Sequence, residues 1–239
     1  MSGGSAAVRV FVYGDYACPF SYVGDARLRR LAVDRGLEVH WRPYEIHPAV
    51  PADGIEVSQA GYPPDEWSTI SSRIREIADD LELPVRIPEF IPNSHEALQV
   101  AEFARDMGED AFGRVHEALF RAYFVRGRNF GKRDVLLDVA EAAGLDREAV
   151  GMALEDERYE DELRRAAEEA ERYHVTGTPT FLFGRFKVVG AAPGEVLEEA
   201  YQRAVADGDD ASGTPGDAGR EDPPSGGDAG AGEGRKSAP

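Results

Sequence analysis

The sequence predicts an α/β protein: a central mixed sheet flanked by helices, interrupted by a large all-helical insertion. Three stretches carry that expectation. Residues 8–42 read strand, helix, strand, residues 64–173 keep a helical period, and residues 180–206 read as a hairpin followed by a helix. A strand–helix–strand unit implies a right-handed crossover and a parallel pair, and a hairpin adds antiparallel strands.

Each element has its own local reason. Val8-Arg9-Val10-Phe11-Val12-Tyr13 is a β-branched and aromatic run and reads as the first strand. Residues 22–33 set Val23, Leu28, Leu31 and Ala32 at helical spacing. Leu37-Glu38-Val39-His40-Trp41-Arg42 alternates apolar with polar, the period of a strand. The expected middle helices cover 65–81, 94–107, 110–125, 132–143, 147–154 and 158–173, with Gly108, Gly127 and Gly144 where three of them stop. Gly177-Thr178-Pro179 then leads to a strand at 180–183, a tight turn at Gly184-Arg185, and a strand at 186–189. The last helix runs from Pro193 to residue 206, with proline at its start. The expected domains are therefore 8–62 with 172–206, discontinuous, around a helical domain at 63–171. Residues 1–7 and 207–239 are expected to be disordered. The tail holds eight acidic and three basic residues, many Gly and Pro, and no aromatic, too little apolar surface to fold.

Composition narrows the function. The chain of 239 residues has one cysteine, so it has no disulfide framework. Its start lacks a charged segment followed by an apolar stretch, and no apolar run reaches the ~18 residues of a membrane span, so a cytoplasmic protein is expected. The net charge is −18, and only Lys132, Lys187 and Lys236 among 27 basic residues are lysine. Acidic surplus with scarce lysine fits a halophilic protein, since in molar salt the Debye length shrinks to ~3 Å. An acidic protein from a GC-rich genome fits as well. No basic stripe exists to contact phosphates, which argues against nucleic acid as a partner.

The single cysteine, Cys18, is the most chemical residue of the chain. It sits between the first strand and the first helix. A helix N-terminus offers unpaired N–H donors and a partial positive charge, both of which favour a thiolate. A free thiol titrates near ~8.5, so about 3% is thiolate at neutral pH. Lowering that by two units needs ~2.7 kcal/mol, while the helix dipole gives ~0.3–1 kcal/mol. The remainder falls to direct donors, namely the N–H groups of residues 20 and 21 and the Ser21 hydroxyl. Pro19 loses nothing by lacking an N–H in the first turn. The ordinary alternative is a buried, inert cysteine.

Ser21 stands where a Cys-x-x-Cys motif has its second thiol. The chain cannot hold an internal disulfide and pass it on. It can attack a substrate disulfide and form a mixed disulfide, which a second thiol from the substrate or from a small molecule must resolve. That chemistry suits isomerisation or thiol transfer rather than stand-alone oxidation.

Four segments, in order, resemble a known family: Cys18-Pro19-Phe20-Ser21-Tyr22, Trp41-Arg42-Pro43-Tyr44-Glu45-Ile46-His47-Pro48, Ala118-Leu119-Phe120-Arg121-Ala122-Tyr123-Phe124 and Gly177-Thr178-Pro179-Thr180-Phe181. They are similar to the DsbA family of thioredoxin-fold oxidoreductases, in its FrnE-like branch. That branch neighbours 2-hydroxychromene-2-carboxylate isomerase and kappa-class glutathione transferase. The resemblance covers residues 8–206 and implies a thioredoxin-like fold. It implies that Cys18 is the nucleophile and that the bond before Pro179 is cis, in a loop beside the cysteine. Pro19, Phe20, Thr178 and Pro179 would then border substrate, with the Thr178 backbone pairing to an incoming strand. Ser21 departs from the FrnE-like pattern, which carries cysteine there. Cys18 departs from the isomerase and transferase pattern, in which a serine at that position contacts glutathione. Thr178 before the proline looks like the disulfide isomerases.

The other candidates are weaker. Tyr16, Phe20 and Tyr22 flank the thiol and offer an apolar rim. Asn93 lies in a segment that borders the substrate cleft in the isomerase relatives, and Ser94 is placed to cap the helix that follows. His174, five residues before Pro179, could approach the thiol and lower its pKa, though a histidine interacting with a helix C-terminus is the simpler reading. His95-Glu96 and His116-Glu117 open zinc-protease-like motifs, but Gln99 and Phe120 replace the second histidine, so no metal is expected. Gly127-Arg128-Asn129-Phe130-Gly131-Lys132-Arg133 is too short for a phosphate loop.

Three functions remain open on the sequence. One is thiol–disulfide exchange or isomerisation through Cys18 and Ser21, on a disulfide-containing protein or small thiol. The second is a small-molecule isomerase or thiol transferase. The third is a non-catalytic binding or chaperone module. No cofactor is expected beyond a low-molecular-weight thiol as co-substrate, and oligomeric state is left open.

Overall fold

The computed structural model describes residues 8–208. The disorder expected of residues 1–7, and of the tail past residue 208, lies outside the described residues. In chain order the elements are β1 (Arg9–Gly14), α1 (Pro19–Arg35), β2 (Glu38–Pro43), β3 (Ile55–Glu56), a 3₁₀ turn (Val57–Gln59), α2 (Pro64–Asp80) and β4 (Phe90–Ile91). There follow α3 (His95–Asp106), α4 (Glu109–Phe124), α5 (Arg133–Ala142), α6 (Arg147–Glu155), α7 (Glu160–Arg172), β5 (Thr180–Phe183), β6 (Phe186–Val189) and α8 (Gly194–Ala206).

The main sheet has the order β2-β1-β5-β6. β1 pairs parallel with β2 and antiparallel with β5, and β5 pairs antiparallel with β6. The period of two in β1 divides its side chains between faces. Val10 and Val12 enter the large core with Val23 and Leu28 of α1 and Leu197, Ala200 and Ala204 of α8. Phe11 and Tyr13 turn the other way and pack with Ala170 of α7, Val175 and Leu182. The large core continues through Leu98, Val115, Leu119, Phe120, Leu136 and Val150, which join α3 to α6. It is therefore continuous from the sheet into the helices.

The structure moves two helix starts and adds a strand pair. α1 begins at Pro19, three residues before the expected start. Cys18 has extended backbone (φ −85°, ψ 117°), and the fixed φ of proline starts the helix at the next residue. α7 begins at Glu160 rather than 158, because Glu157 takes a positive φ of 49° and breaks the helical path. The β3–β4 pair was not expected, since two residues per strand are too few to show a period.

Gly14 ends β1 beneath the indole of Trp41. A Cβ there would lie 2.2 Å from Trp41 Cη2 and 2.4 Å from Cζ2, and Trp41 is buried. Gly14→Ala is therefore expected to destabilise the fold by about 1–3 kcal/mol through overpacking. Urea unfolding followed by tryptophan fluorescence measures it, and an unchanged midpoint would refute the close packing.

Candidate active site

The turn between β1 and α1 is Asp15-Tyr16-Ala17-Cys18, and its backbone closes through Cys18 N donating to Asp15 O at 3.1 Å. Cys18 O in turn accepts from Ser21 N at 3.1 Å and Tyr22 N at 3.3 Å.

The Cys18 thiol is buried, and Sγ donates to Thr178 O at 3.4 Å. The Thr178–Pro179 peptide bond is cis. Gly24 of α1 lets that loop come close, since a Cβ there would lie 2.9 Å from Pro179 Cγ. Cys18, Ser21, Thr178 and Pro179, far apart in the chain, thus meet in one place. Pro19 and Phe20 lie half-buried beside them at the start of α1.

Burial pushes the Cys18 thiol up, and the negative charge of Asp15 adds to that. Hydrogen bonding from Thr178 and from the backbone and side chain of Ser21 acts the other way but is outweighed. Burial therefore works against the thiolate that a helix N-terminus favours. The cause is desolvation, which disfavours the charged form more than the helix terminus favours it. Two hydroxyls are nevertheless placed to serve a thiolate. Ser21 Oγ is buried and accepts from Asp15 N at 3.3 Å, which leaves its own hydrogen to donate. Thr178 Oγ1 is buried, and among the described residues no other group engages it, so its hydroxyl is free to serve the Cys18 sulfur.

Tyr16 does not form a rim. It is fully buried, stacked on Trp41 with centroids 5.8 Å apart, and its hydroxyl meets His116 Nδ1 at 2.9 Å. His116 Nε2 meets Asp25 at 3.1 Å, and Asp25 also pairs with Arg29 at 2.8 Å. Burial raises the Asp25 carboxyl, but His116 and Arg29 together hold it below the usual carboxylate range. The aromatic ring points inward because its phenol has this buried partner. Tyr22 is likewise buried, and its hydroxyl donates to Pro84 O at 2.8 Å.

Among the described residues, no hydrogen bond joins His174 to the thiol. The histidine is exposed in the turn after α7, and its carbonyl accepts from Lys187 Nζ at 3.1 Å. Ser94 does not cap α3 through its side chain. Asn93 Oδ1 accepts from His95 N at 2.9 Å, and Ser94 Oγ instead donates to Asp15 Oδ2 at 3.0 Å. Asn93 Nδ2 donates to Val50 O at 2.6 Å, so both ends of that side chain are engaged in protein contacts.

An open cavity of about 760 Å³ lies next to this region, lined by Glu45, Asn93, His95, Lys132 and Arg133 among others. Cys18 does not line it. His95 bridges Glu45 at 3.0 Å and Glu160 at 2.5 Å. The Glu45 hydrogen bond leads in raising the imidazole to about 9, with Glu160 adding to it.

Sequence reasoning missed Asp15, Tyr62 and Tyr123. The charge of Cys18 acts on both tyrosines, which are themselves pushed up mainly by burial. Asp15 had a legible signal: an Asp accepting from the N–H two residues on is an Asx-turn, and Ala17 N donates to Asp15 Oδ1 at 2.8 Å.

Residues 9–202 match the DSBA-like thioredoxin domain. The chain belongs to that family. It is 31% identical over 199 residues to the Bacillus subtilis protein YwbO, covering 81% of this chain and 95% of that protein. Its structure is similar to that of a probable DsbA oxidoreductase from Streptomyces coelicolor, with a TM-score of 0.75 and 28% identity over 83% of this chain and 90% of the other. It also matches a 2-hydroxychromene-2-carboxylate isomerase structure, with a TM-score of 0.60 and 22% identity over 86% of this chain and all of the other. That last likeness is one of fold. Among the described residues of this DSBA-like protein, no helix is long and apolar enough to cross a membrane.

The His95 bridge makes a pH prediction. A histidine whose pKa rises from 6.5 to about 9 on folding stabilises the fold fully below 6.5, and that contribution disappears as pH climbs through about 9. His95→Gln is expected to cost ~1 kcal/mol near pH 6, after discounting for its partial exposure, and close to nothing at pH 10. Chemical denaturation at the two pH values checks this, and an equal loss at both would refute the ionic bridge.

Proposed function

We propose that this DSBA-like protein is a thiol–disulfide oxidoreductase or isomerase that works through a single thiol, with Cys18 as nucleophile. The observation that supports it most is the meeting of Cys18 Sγ with Thr178 O beside cis-Pro179, in a chain with no second cysteine. An extended substrate segment that donates a backbone N–H to Thr178 O takes the acceptor the resting thiol uses. Cys18 then gives up its proton to solvent or to the substrate. Ser21 Oγ and Thr178 Oγ1 donate to the sulfur, which offsets its desolvation.

The thiolate attacks one sulfur of the substrate disulfide. A Cys18–substrate disulfide forms, and the other substrate sulfur leaves as a thiolate. If that thiolate attacks a different sulfur of the same substrate, pairing is rearranged without net oxidation, and Cys18 is regenerated when a substrate thiolate displaces it. If a low-molecular-weight thiolate attacks the substrate sulfur of the mixed disulfide, Cys18 leaves as a thiolate and the small thiol remains on the substrate as a mixed disulfide, which a second small thiolate reduces, so that the disulfide of the small thiol carries the oxidising equivalents away. Pro19 and Phe20 flank the approach. We place this activity in the cytoplasm, with high salt as the working medium suited to the charge of −18.

A non-catalytic binding module is the second reading, since burial works against ionisation of the thiol. The isomerase or transferase reading on a small organic substrate has less support, because the open cavity stops short of Cys18.

Repair of scrambled ribonuclease in molar salt, with reduced glutathione supplied, separates these readings. The wild-type protein is expected to accelerate repair, and Cys18→Ser to fall to the background rate. A wild-type rate no better than Cys18→Ser would leave the binding module.

A further inference from the structure

The buried carboxylate of Asp15 is not used in the exchange chemistry, yet it faces three donors from three parts of the chain. Oδ1 accepts from Ala17 N at 2.8 Å, inside the turn that carries Cys18. Oδ2 accepts from Ile46 N at 2.8 Å, just past β2, and from Ser94 Oγ at 3.0 Å, at the head of α3. Asp15 N and O also serve the site, through Ser21 Oγ and Cys18 N. The side chain is completely buried, and no cation bonds to it among the described residues. Both oxygens accept, so a carboxylate satisfies all three donors where a neutral amide would turn its NH₂ against one of them.

We propose that Asp15 is the positioning residue of the thiol site: its carboxylate ties the Cys18 turn to Ile46 and to the start of α3, and so sets where the sulfur meets Thr178 O. This rests on Cys18 being the reactive group, as proposed above. The charge opposes a second negative charge at the sulfur, so the thiolate forms when a substrate or its donors compensate. The reacting atoms themselves are Cys18 Sγ and the substrate disulfide, and Asp15 acts only through them.

The groups facing this pair are few. Glu45 repels the Asp15 charge and is itself engaged by His95. Tyr62 and Tyr123 respond to the Cys18 charge, and Tyr123 also to Asp15. Burial raises Asp15 to about 6, against the lowering effect of its three donors, so its charge is present at neutral pH and lost in mild acid.

The test is the rate of Cys18 alkylation by iodoacetamide from pH 4.5 to 10 in high salt, which needs no turnover. In the wild-type protein the logarithm of the rate should rise with pH, flatten near pH 6 as Asp15 ionises, and rise again. Asp15→Asn keeps the shape and removes the charge. Its profile should lose the flattening, its midpoint should fall, and its rate at pH 7 should rise above that of the wild type. An Asn amide must set its NH₂ against one of the backbone donors, so that variant is checked for folding by circular dichroism.

Ser94→Ala is the second variant. It retains both backbone donors but removes one hydrogen bond to the ionised carboxylate, so the flattening should move above pH 6. A folded Asp15→Asn protein with the wild-type midpoint would overturn the proposal. So would a flattening that is absent from the wild type or unmoved in Ser94→Ala. If the alkylation profiles behave as expected while scrambled ribonuclease is not repaired, the exchange reading fails and the electrostatic coupling stands.

Discussion

A negative charge and a thiol share one dry turn, and much of the molecule is arranged around that fact. Asp15 and Cys18 are both sealed from solvent where β1 gives way to α1. Burial alone would make the carboxylate intolerable, so the chain brings it an N–H from its own turn, an N–H from beyond β2 and a hydroxyl from α3. Those three bonds fix the turn to the sheet and to the helical segment together. The sulfur inherits its position from them, and the cis loop at Thr178–Pro179 supplies its remaining partner.

The same turn carries Tyr16 in the opposite direction. Its ring fills the core under Trp41 and Phe120, and its phenol is satisfied by His116, which is satisfied in turn by Asp25 and Arg29. This line of polar groups crosses an otherwise apolar region between α1 and α4, and each buried member has a partner. Gly14 permits it, since the Trp41 ring occupies the space a side chain would take. A small residue at the end of β1 thus makes room for the Trp41 ring of the neighbouring strand.

The surface follows a different logic. Arginines pair with nearby carboxylates along helix faces, as in Arg164 with Asp161 and Glu168, and Arg203 with Glu199. Exposed pairs of this kind contribute little to stability and weaken in salt. They organise a strongly acidic surface without setting the fold, which depends on the apolar core and the buried turn. The His95 bridge differs because it joins three separate elements, through Glu45, the head of α3 and Glu160 of α7.

The sequence by itself determined the order of the main strands and helices, the mixed sheet and the family. Those features rest on local period, on proline and glycine at helix ends, and on motifs a few residues long, all of which are written in consecutive residues. It also singled out Cys18, Ser21, Thr178 and Pro179, which the structure brings together. Only the tertiary structure decided how acidic the thiol is, because desolvation depends on what covers the sulfur, and the cover comes from residues more than a hundred positions away. The inward turn of Tyr16 depended in the same way on His116, the partner role of Ser94 on Asp15, and the exposure of His174 on where α7 ends. A side chain's type is local, but its burial and its partners are properties of the packed chain, and they fix its chemistry.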